Sequence, residues 1–301
     1  RGCTRRNCGI STIRSNMEEK EYGKLYLCAT PIGNLEDITF RVLNTLKSVD
    51  LIAAEDTRHS IKLLNHYDIK TPMTSYHEYN KIEKAKYLVD KICSGMNVAV
   101  ITDAGTPGIS DPGEELVRQC IEAGIIVTSL PGAAACITAL TMSGRKTRRF
   151  VFEAFLPADK KEHKRVLEEL AHETRTMILY EAPHHLVRTL AELSEYLGED
   201  RELSVCKELT KTYENTFCTT LKGALEFYEK NEPRGEYVLV IAGKNYQEIE
   251  KERQEQFFSM TVEEHVAMYT RQGMDKKEAM KLTAKDRGVS KRDIYRSLLG
   301  E

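Results

Sequence analysis

Residues Asp103 to Gly113 read DAGTPGISDPG, with three glycines and two prolines in eleven positions. A short apolar run, Val98 to Thr102, precedes them, and an amphipathic run, Glu114 to Ala123, follows. The pattern predicts strand, loop, helix. Proline fixes φ at some points of such a loop, and glycine frees it at others. Main-chain N–H and C=O groups are then left open to a close approach. In an open α/β sheet this suits a ligand held by backbone at a strand's carboxyl end.

The same grammar recurs on either side. Lys24 to Ala29 reads as a strand running into TPIGNL, where Gly33 and Asn34 are residue types that tolerate positive φ. A helix is expected over about 37–47, then a strand, Val49 to Ala54, ending in Glu55-Asp56-Thr57-Arg58. Helical patterns follow at about 59–67 and 81–94. The strand Ile125 to Leu130 ends in Pro131-Gly132-Ala133-Ala134-Ala135, small enough to start a helix against a ligand or a neighbouring backbone. Alternating β and α predicts a mostly parallel sheet with its crevice outside the carboxyl ends. No GxGxxG follows a strand and no GxxxxGK[ST] occurs, which disfavours a Rossmann dinucleotide site and a P-loop.

The 301 residues, 41% hydrophobic and 30% charged, suit a soluble globular chain of two medium domains and a small third one. No apolar run approaches 18 residues, so no membrane helix is expected. Residues 1–16 hold four arginines and no acid. They read as a leader that is non-native or translated from upstream, with Met17 the start and a transit peptide the competing reading. Without those arginines the net charge falls from −2 to −6, so a nucleic-acid partner has to be met by local patches. Cys3 and Cys8 lie in the leader, and the other six cysteines are scattered singly. With no CxxC or HExxH, no metal site is expected.

From Arg149 onward the patterning changes. Strands are expected at Arg149–Leu156, Thr176–Tyr180, Leu203–Glu208, Asn215–Leu221 and Tyr237–Ala242, with helices at about 160–173 and 185–197. The mixture predicts an α+β half whose sheet need not be all parallel. Polar clusters interrupt it at Tyr180-Glu181, Glu208-Leu209-Thr210-Lys211 and Arg234-Gly235-Glu236. Residues 145–165 carry an excess of five positive charges, and so do residues 271–296. A solvated helix face and phosphate contact are the two readings of each run. A polar link, Gln247 to Gln256, leads to three short helices: one from the capping box at Thr261, one over 276–285, one from Ser290 to Leu299. Their spacing resembles a helix-turn-helix.

Four motifs in order, TPIGNLEDIT (30–39), AAEDTRH (53–59), DAGTPGISDPG and LPGAAACITAL (130–140), resemble the tetrapyrrole-methylase superfamily. Within it they resemble the small-subunit rRNA methyltransferase I (RsmI) family, over residues 24–298. The resemblance implies two α/β domains with an S-adenosylmethionine crevice between them, plus a small C-terminal helical unit. The expected divisions are a leader at 1–22, a cofactor-binding domain at 23–145, a second α/β domain at 146–245, and an RNA-contacting module at 246–301. The implied cofactor residues are Pro31, Gly33, Asn34, Asp103, Gly105, Thr106, Ile109, Pro131, Gly132, Ala133, Tyr180 and Glu236. The implied activity is 2′-O-methylation of a cytidine in the decoding region of 16S rRNA, by a cytoplasmic homodimer working on the small ribosomal subunit.

Methyl transfer to a hydroxyl needs the acceptor oxygen in line with the donor, and a base or a cation to help the hydroxyl lose its proton. Strand-end candidates are Glu55, Asp56 and Arg58 in the first half, and Glu208 and Lys211 in the second. Asp56, Arg58, Glu208 and Lys211 are expected to line the acceptor's path. Two alternatives stand beside this: a C-methylating tetrapyrrole enzyme of the same superfamily, and a non-catalytic RNA-binding protein of the same fold.

Overall fold

The structure, a computed structural model, describes residues 22–299. The expected leader, with Cys3, Cys8 and the start at Met17, lies outside the described residues. The chain divides into two compact units, the first ending at Ala135 and the second beginning at Cys136.

The first unit runs β1 (Lys24–Cys28), α1 (Phe40–Ser48), β2 (Leu51–Ala54), α2 (Thr57–His66), β3 (Met73–Ser75), α3 (Lys81–Cys93), β4 (Val98–Ile101), α4 (Gly113–Glu122) and β5 (Ile126–Leu130). The strands lie in the order β3-β2-β4-β1-β5, and every pairing is parallel. Each central strand alternates its side chains between two buried faces. Leu25, Leu27, Val98 and Val100 pack with Leu88, Leu116 and Cys120 from α3 and α4. Cys28, Ile52, Ala99 and Ile101 pack with Val42, Leu46 and Leu64 from α1 and α2. The chain therefore leaves β1 over one face and leaves neighbouring β4 over the other. That divergence opens a crevice at their carboxyl ends. β3 was not expected: three residues, MTS, are too short and too polar for periodicity to register.

The second unit holds α5 (Ala135–Met142, from its second residue), β6 (Phe150–Ala154), α6 (Lys160–Ala171), β7 (Thr176–Glu181), α7 (Leu186–Leu197), β8 (Glu202–Lys207), β9 (Asn215–Thr220), α8 (Leu221–Lys230) and β10 (Tyr237–Ile241). Its sheet has the order β6-β7-β10-β8-β9. Only β6 and β7 pair in parallel; β10 is antiparallel to β7 and β8, and β8 to β9. The division falls ten residues before the expected 145/146 boundary because α5 is tied to this sheet. The Cys136 N–H donates to Tyr180 Oη at 3.1 Å, and Ser204 Oγ donates to the Ser143 carbonyl at 2.9 Å.

Four helices close the chain: α9 (Tyr246–Phe258), α10 (Val262–Arg271), α11 (Lys276–Asp286) and α12 (Lys291–Leu299). They cluster with the second unit, where a separate module at 246–301 was expected. The expected polar link is helix α9, started by a reciprocal Asn245–Glu248 capping box. Polar residues all round it hid it from periodicity. α8 escaped for another reason: Thr220, read as strand, ends β9 and caps α8 by accepting from the Gly223 N–H at 3.2 Å. The caps expected at Thr261 and Ser290–Asp293 are present.

Candidate cofactor and active site

The loops after β1, β4 and β5 are sewn together by main chain. Thr30 and Gly105 form an antiparallel bridge, N–H to O at 2.9 and 3.1 Å. Thr30 Oγ1 donates to the Thr102 carbonyl at 3.2 Å, and Thr106 Oγ1 donates to the Ala133 carbonyl at 2.8 Å. Gly105 sits at φ +87°, a region that disfavours any Cβ. Gly132 serves a different need. A Cβ there would lie 2.5 Å from the Ala29 Cβ, so its absence lets the β5 loop close on the end of β1. Pro131 and Gly132 are exposed, and Ala133 is half-buried.

The central loop has an organiser that sequence reasoning did not single out. The Asp111 carboxylate accepts from the Gly108 N–H at 2.8 and 2.9 Å, from Ile109 at 3.1 Å and from Gly113 at 2.7 Å. An aspartate accepting from residues two and three positions away is local turn chemistry, and its sequence signature was available. Tyr76 was not findable that way: its buried hydroxyl donates to the Pro112 carbonyl at 2.7 Å from 36 residues away. Asn34, a residue type that tolerates positive φ, is extended here at φ −122°. Its side chain accepts from the Glu36 N–H, starting a 3-10 turn over Leu35–Asp37, and both Gly33 and Asn34 are exposed.

Four carboxylates meet where β2 and β4 end. Asp103, exposed, accepts from the Asp56 N–H at 3.2 Å. Burial is the first cause that pushes the half-buried Glu55 carboxyl above the usual range. The charges of Asp103, Asp111 and Asp56 add to it, while a main-chain hydrogen bond at Asp103 opposes it. Asp56 moves the other way. It starts α2 by accepting from the Arg58 N–H at 2.8 Å and also takes Arg58 Nε at 3.1 Å and Nη2 at 2.8 Å. Those side-chain bonds hold its carboxyl down at about 2. Asp56 is thus a weak base with its lone pairs engaged, and Arg58 is its exposed partner.

In the second unit, β-register gathers the three polar clusters at one sheet end. Tyr237 lies opposite Glu181 on one side and Lys207 on the other. Lys211 Nζ donates to Glu208 Oε1 at 2.9 Å and to Glu236 Oε2 at 2.8 Å. Glu208 Oε1 also accepts from the Glu236 N–H at 2.9 Å. Burial disfavours the Lys211 charge, yet the two glutamates outweigh it and its pKa is raised. Burial likewise opposes the Glu208 charge, and Lys211 with the Glu236 main chain outweighs it, so its pKa is lowered. Lys211 is therefore a fixed cation at neutral pH. Glu208 and Thr210 hold left-handed φ of +51° and +64°, strain unusual outside glycine. The Tyr180 hydroxyl caps α5, among the rings of Phe152 and Phe155.

Small residues, open main chain and an acidic surround fit a ligand with a nucleoside and a positive sulfonium. Among the described residues no group of three or more His, Cys, Asp or Glu is placed to hold a metal ion.

The family model for tetrapyrrole (corrin/porphyrin) methylases matches residues 24–225. Among solved structures, a uroporphyrin-III C-methyltransferase from Thermus thermophilus, complexed with S-adenosyl homocysteine, aligns at TM-score 0.53 and 18% identity. That alignment covers 73% of this chain and 97% of that one. A diphthine synthase aligns at TM-score 0.57 and 12% identity, over 73% and 90%. Fold and loops define an α/β methyltransferase of the tetrapyrrole-methylase class, enzymes that use S-adenosylmethionine. Curated relatives are closer. The ribosomal RNA small subunit methyltransferase I of Halalkalibacterium halodurans is 47% identical over 95% of this chain and 98% of its own length. Those of Bacillus subtilis and Haemophilus influenzae are 47% and 53% identical, over 92% and 74% of this chain and 94% and 79% of their own. The chain belongs to the ribosomal RNA small subunit methyltransferase I family.

Proposed function

We propose that this chain methylates the ribose 2′-hydroxyl of a cytidine in the decoding region of 16S rRNA. The observation that carries the reading is the length of the likeness: 47% identity along 95% of the chain to a small-subunit rRNA methyltransferase. Bound S-adenosylmethionine supplies a methyl group already activated by a sulfonium. The residues at the loops after β1, β4 and β5, with Tyr180 and Glu236 from the second unit, are the proposed cofactor contacts. Asp103, an exposed carboxylate at the end of β4, is suited to accept from a ribose hydroxyl or an amino group.

The acceptor hydroxyl loses a proton as its oxygen gains the methyl group. Asp56 and Glu208, both lowered, are poor bases, which leaves them to position. Arg58 and Lys211 are the proposed cations toward developing oxyanion charge. Glu55, whose carboxyl is shifted upward, is the proposed base. The basic runs within 145–165 and 271–296 are the proposed RNA contacts, and a cytoplasmic homodimer is the proposed working form. No helix among the described residues is long and apolar enough to cross a membrane.

The test incubates the protein and labelled S-adenosylmethionine with small ribosomal subunits, with naked 16S rRNA and with a tetrapyrrole. One methyl on a cytidine 2′-oxygen, mapped by mass spectrometry, is expected with an RNA substrate. Label on a base atom or on the tetrapyrrole overturns the ribose reading, and cofactor binding without transfer overturns the enzyme reading. Sedimentation of the purified chain tests the dimer.

A further inference from the structure

The outer face of α12 is built unlike the rest of the C-terminal unit. Its inner face is simple: Ile294 is 1% exposed and packs with Val266, Met280 and Ala284, and Leu298 joins them half-buried. Tyr295 is 55% exposed. Nothing in the packing asks for an aromatic there, and tyrosine is a poorer helix former than lysine or alanine. Lys291 and Arg292 lie four and three residues before it, so they neighbour its ring on the helix surface, and Arg296 follows Arg292 by one turn. All three cations are exposed. The one acid on α12, Asp293, is engaged at the helix start, where its carboxylate accepts from the Ser290 N–H at 3.0 Å and from Ser290 Oγ at 2.6 Å.

The platform under this face is anchored. Arg287 Nη2 donates to the carbonyls of Phe257, Met260 and Thr261 at 2.7, 2.6 and 3.0 Å, and its Nε donates to His265 Nδ1 at 3.1 Å. Arg287 is therefore spent on gathering α9, α10 and α11, whereas the α12 cations point to solvent.

We propose that α12 binds an unpaired stretch of RNA, with Tyr295 stacking on one base and Lys291, Arg292 and Arg296 holding the flanking phosphates. The inference rests on the RNA-substrate reading above and names the surface and the RNA form it takes. Charge complementarity selects a polyanion, and the ring between the cations selects one with open base faces. A helix in a helix-turn-helix setting reads a wide major groove, and A-form RNA offers a deep, narrow one. The shallow minor groove of a duplex is reachable but offers no open base face for Tyr295 to stack on, which favours a single strand or loop.

The test uses the full-length chain and fluorescence anisotropy with a labelled single-stranded RNA of about a dozen nucleotides and a duplex of equal composition, across a salt series. The parent is expected to prefer the single strand. Tyr295→Ala should weaken single-strand binding by roughly 10-fold or more with an unchanged salt slope, since stacking contributes about 1–3 kcal/mol per base. Tyr295→Phe should keep the affinity. A Lys291→Ala/Arg292→Ala variant should lower the log–log salt slope by about 1.4, roughly 0.7 for each phosphate that is no longer neutralised. Calorimetric S-adenosylmethionine affinity should stay level in all three. If the parent methylates small-subunit RNA while Tyr295→Ala binds RNA as tightly as the parent, this inference alone fails. A parent that neither binds nor methylates RNA overturns the substrate reading as well.

Discussion

Glu55 and Asp56 are adjacent in sequence and opposite in acid strength, and the cause of each is local. Asp56 faces Arg58; Glu55 faces three other carboxylates and loses water. A folded pKa raised above the unfolded one means that the folded chain binds more protons. Stability then falls as pH climbs from the ordinary glutamate range through the raised value, and ionised Glu55 is a net cost at neutral pH. Glu55→Gln should therefore raise Tm at pH 7.5, by on the order of 1–2 °C, with the advantage closing below about pH 4. The same variant should slow single-turnover methylation by roughly 10²–10⁴-fold while cofactor affinity changes little. Higher stability with unchanged chemistry would remove Glu55 as the base. The two loop glycines separate in the same way. Gly132→Ala drives a Cβ into Ala29 and should cost about 1–3 kcal/mol by thermal unfolding. At Gly105 only the Ile32 Cγ2 and the Ala133 carbonyl approach, at 3.4 and 3.6 Å. Space is therefore available, but φ +87° strains any side chain. Gly105→Val should lower Tm and lose S-adenosylmethionine binding by calorimetry, whereas Gly132→Ala should lower Tm by contact alone. Residue type signalled both glycines. That one serves packing and the other backbone shape required the partner across the fold.

At the scale of elements, strands and amphipathic helices were legible because burial imposes a period, and β1, β2, β4 and β5 fall within two residues of expectation. β3, α8 and α9 were not, since each lacks a one-sided apolar pattern or shares residues with a neighbouring element. The gathering of Glu208, Lys211 and Glu236 was legible only as separate polar clusters, because β10 brings them together through register. Three of the eight cations in the basic run at 145–165 are paired in the fold. Lys164 and Arg165 pair with Glu162, Glu168 and Glu169 along α6, a solvated helix face, and Arg145 is bound to Glu202. Lys146, Arg148 and Arg149 remain exposed. Asp111 is the element-scale device with the clearest consequence. It fixes the turn of the central loop and the first N–H of α4 at once. Asp111→Asn should destabilise the fold by about 1–2 kcal/mol in urea unfolding. It should also raise KM for S-adenosylmethionine more than KM for RNA. An equal rise in both would make the residue a general support of the fold.

At the scale of the whole molecule, charge is segregated. The net charge is −2, yet acids crowd the carboxyl ends of β2 and β4, while exposed lysines and arginines outnumber the acids on α11 and α12. Clustered carboxylates favour a sulfonium and repel phosphate, so the proposed cofactor site and the proposed RNA contacts call for separate surfaces. On α11, Lys277, Lys281 and Lys285 recur every fourth residue and are exposed, with Ala279, Met280, Thr283 and Ala284 buried on other sides of the helix. Alanine at the three lysine positions keeps helix propensity and leaves the buried side intact. If this stripe meets RNA phosphates, the triple variant should lower the slope of log affinity against log salt by about 2, at roughly 0.7 per single-strand phosphate. S-adenosylmethionine affinity and the single-turnover rate at saturating RNA should stay at parent values, because neither depends on these charges. An unchanged salt slope would make the stripe a solvated face, and the RNA contacts would then have to come from α12 and the exposed basics at 146–149.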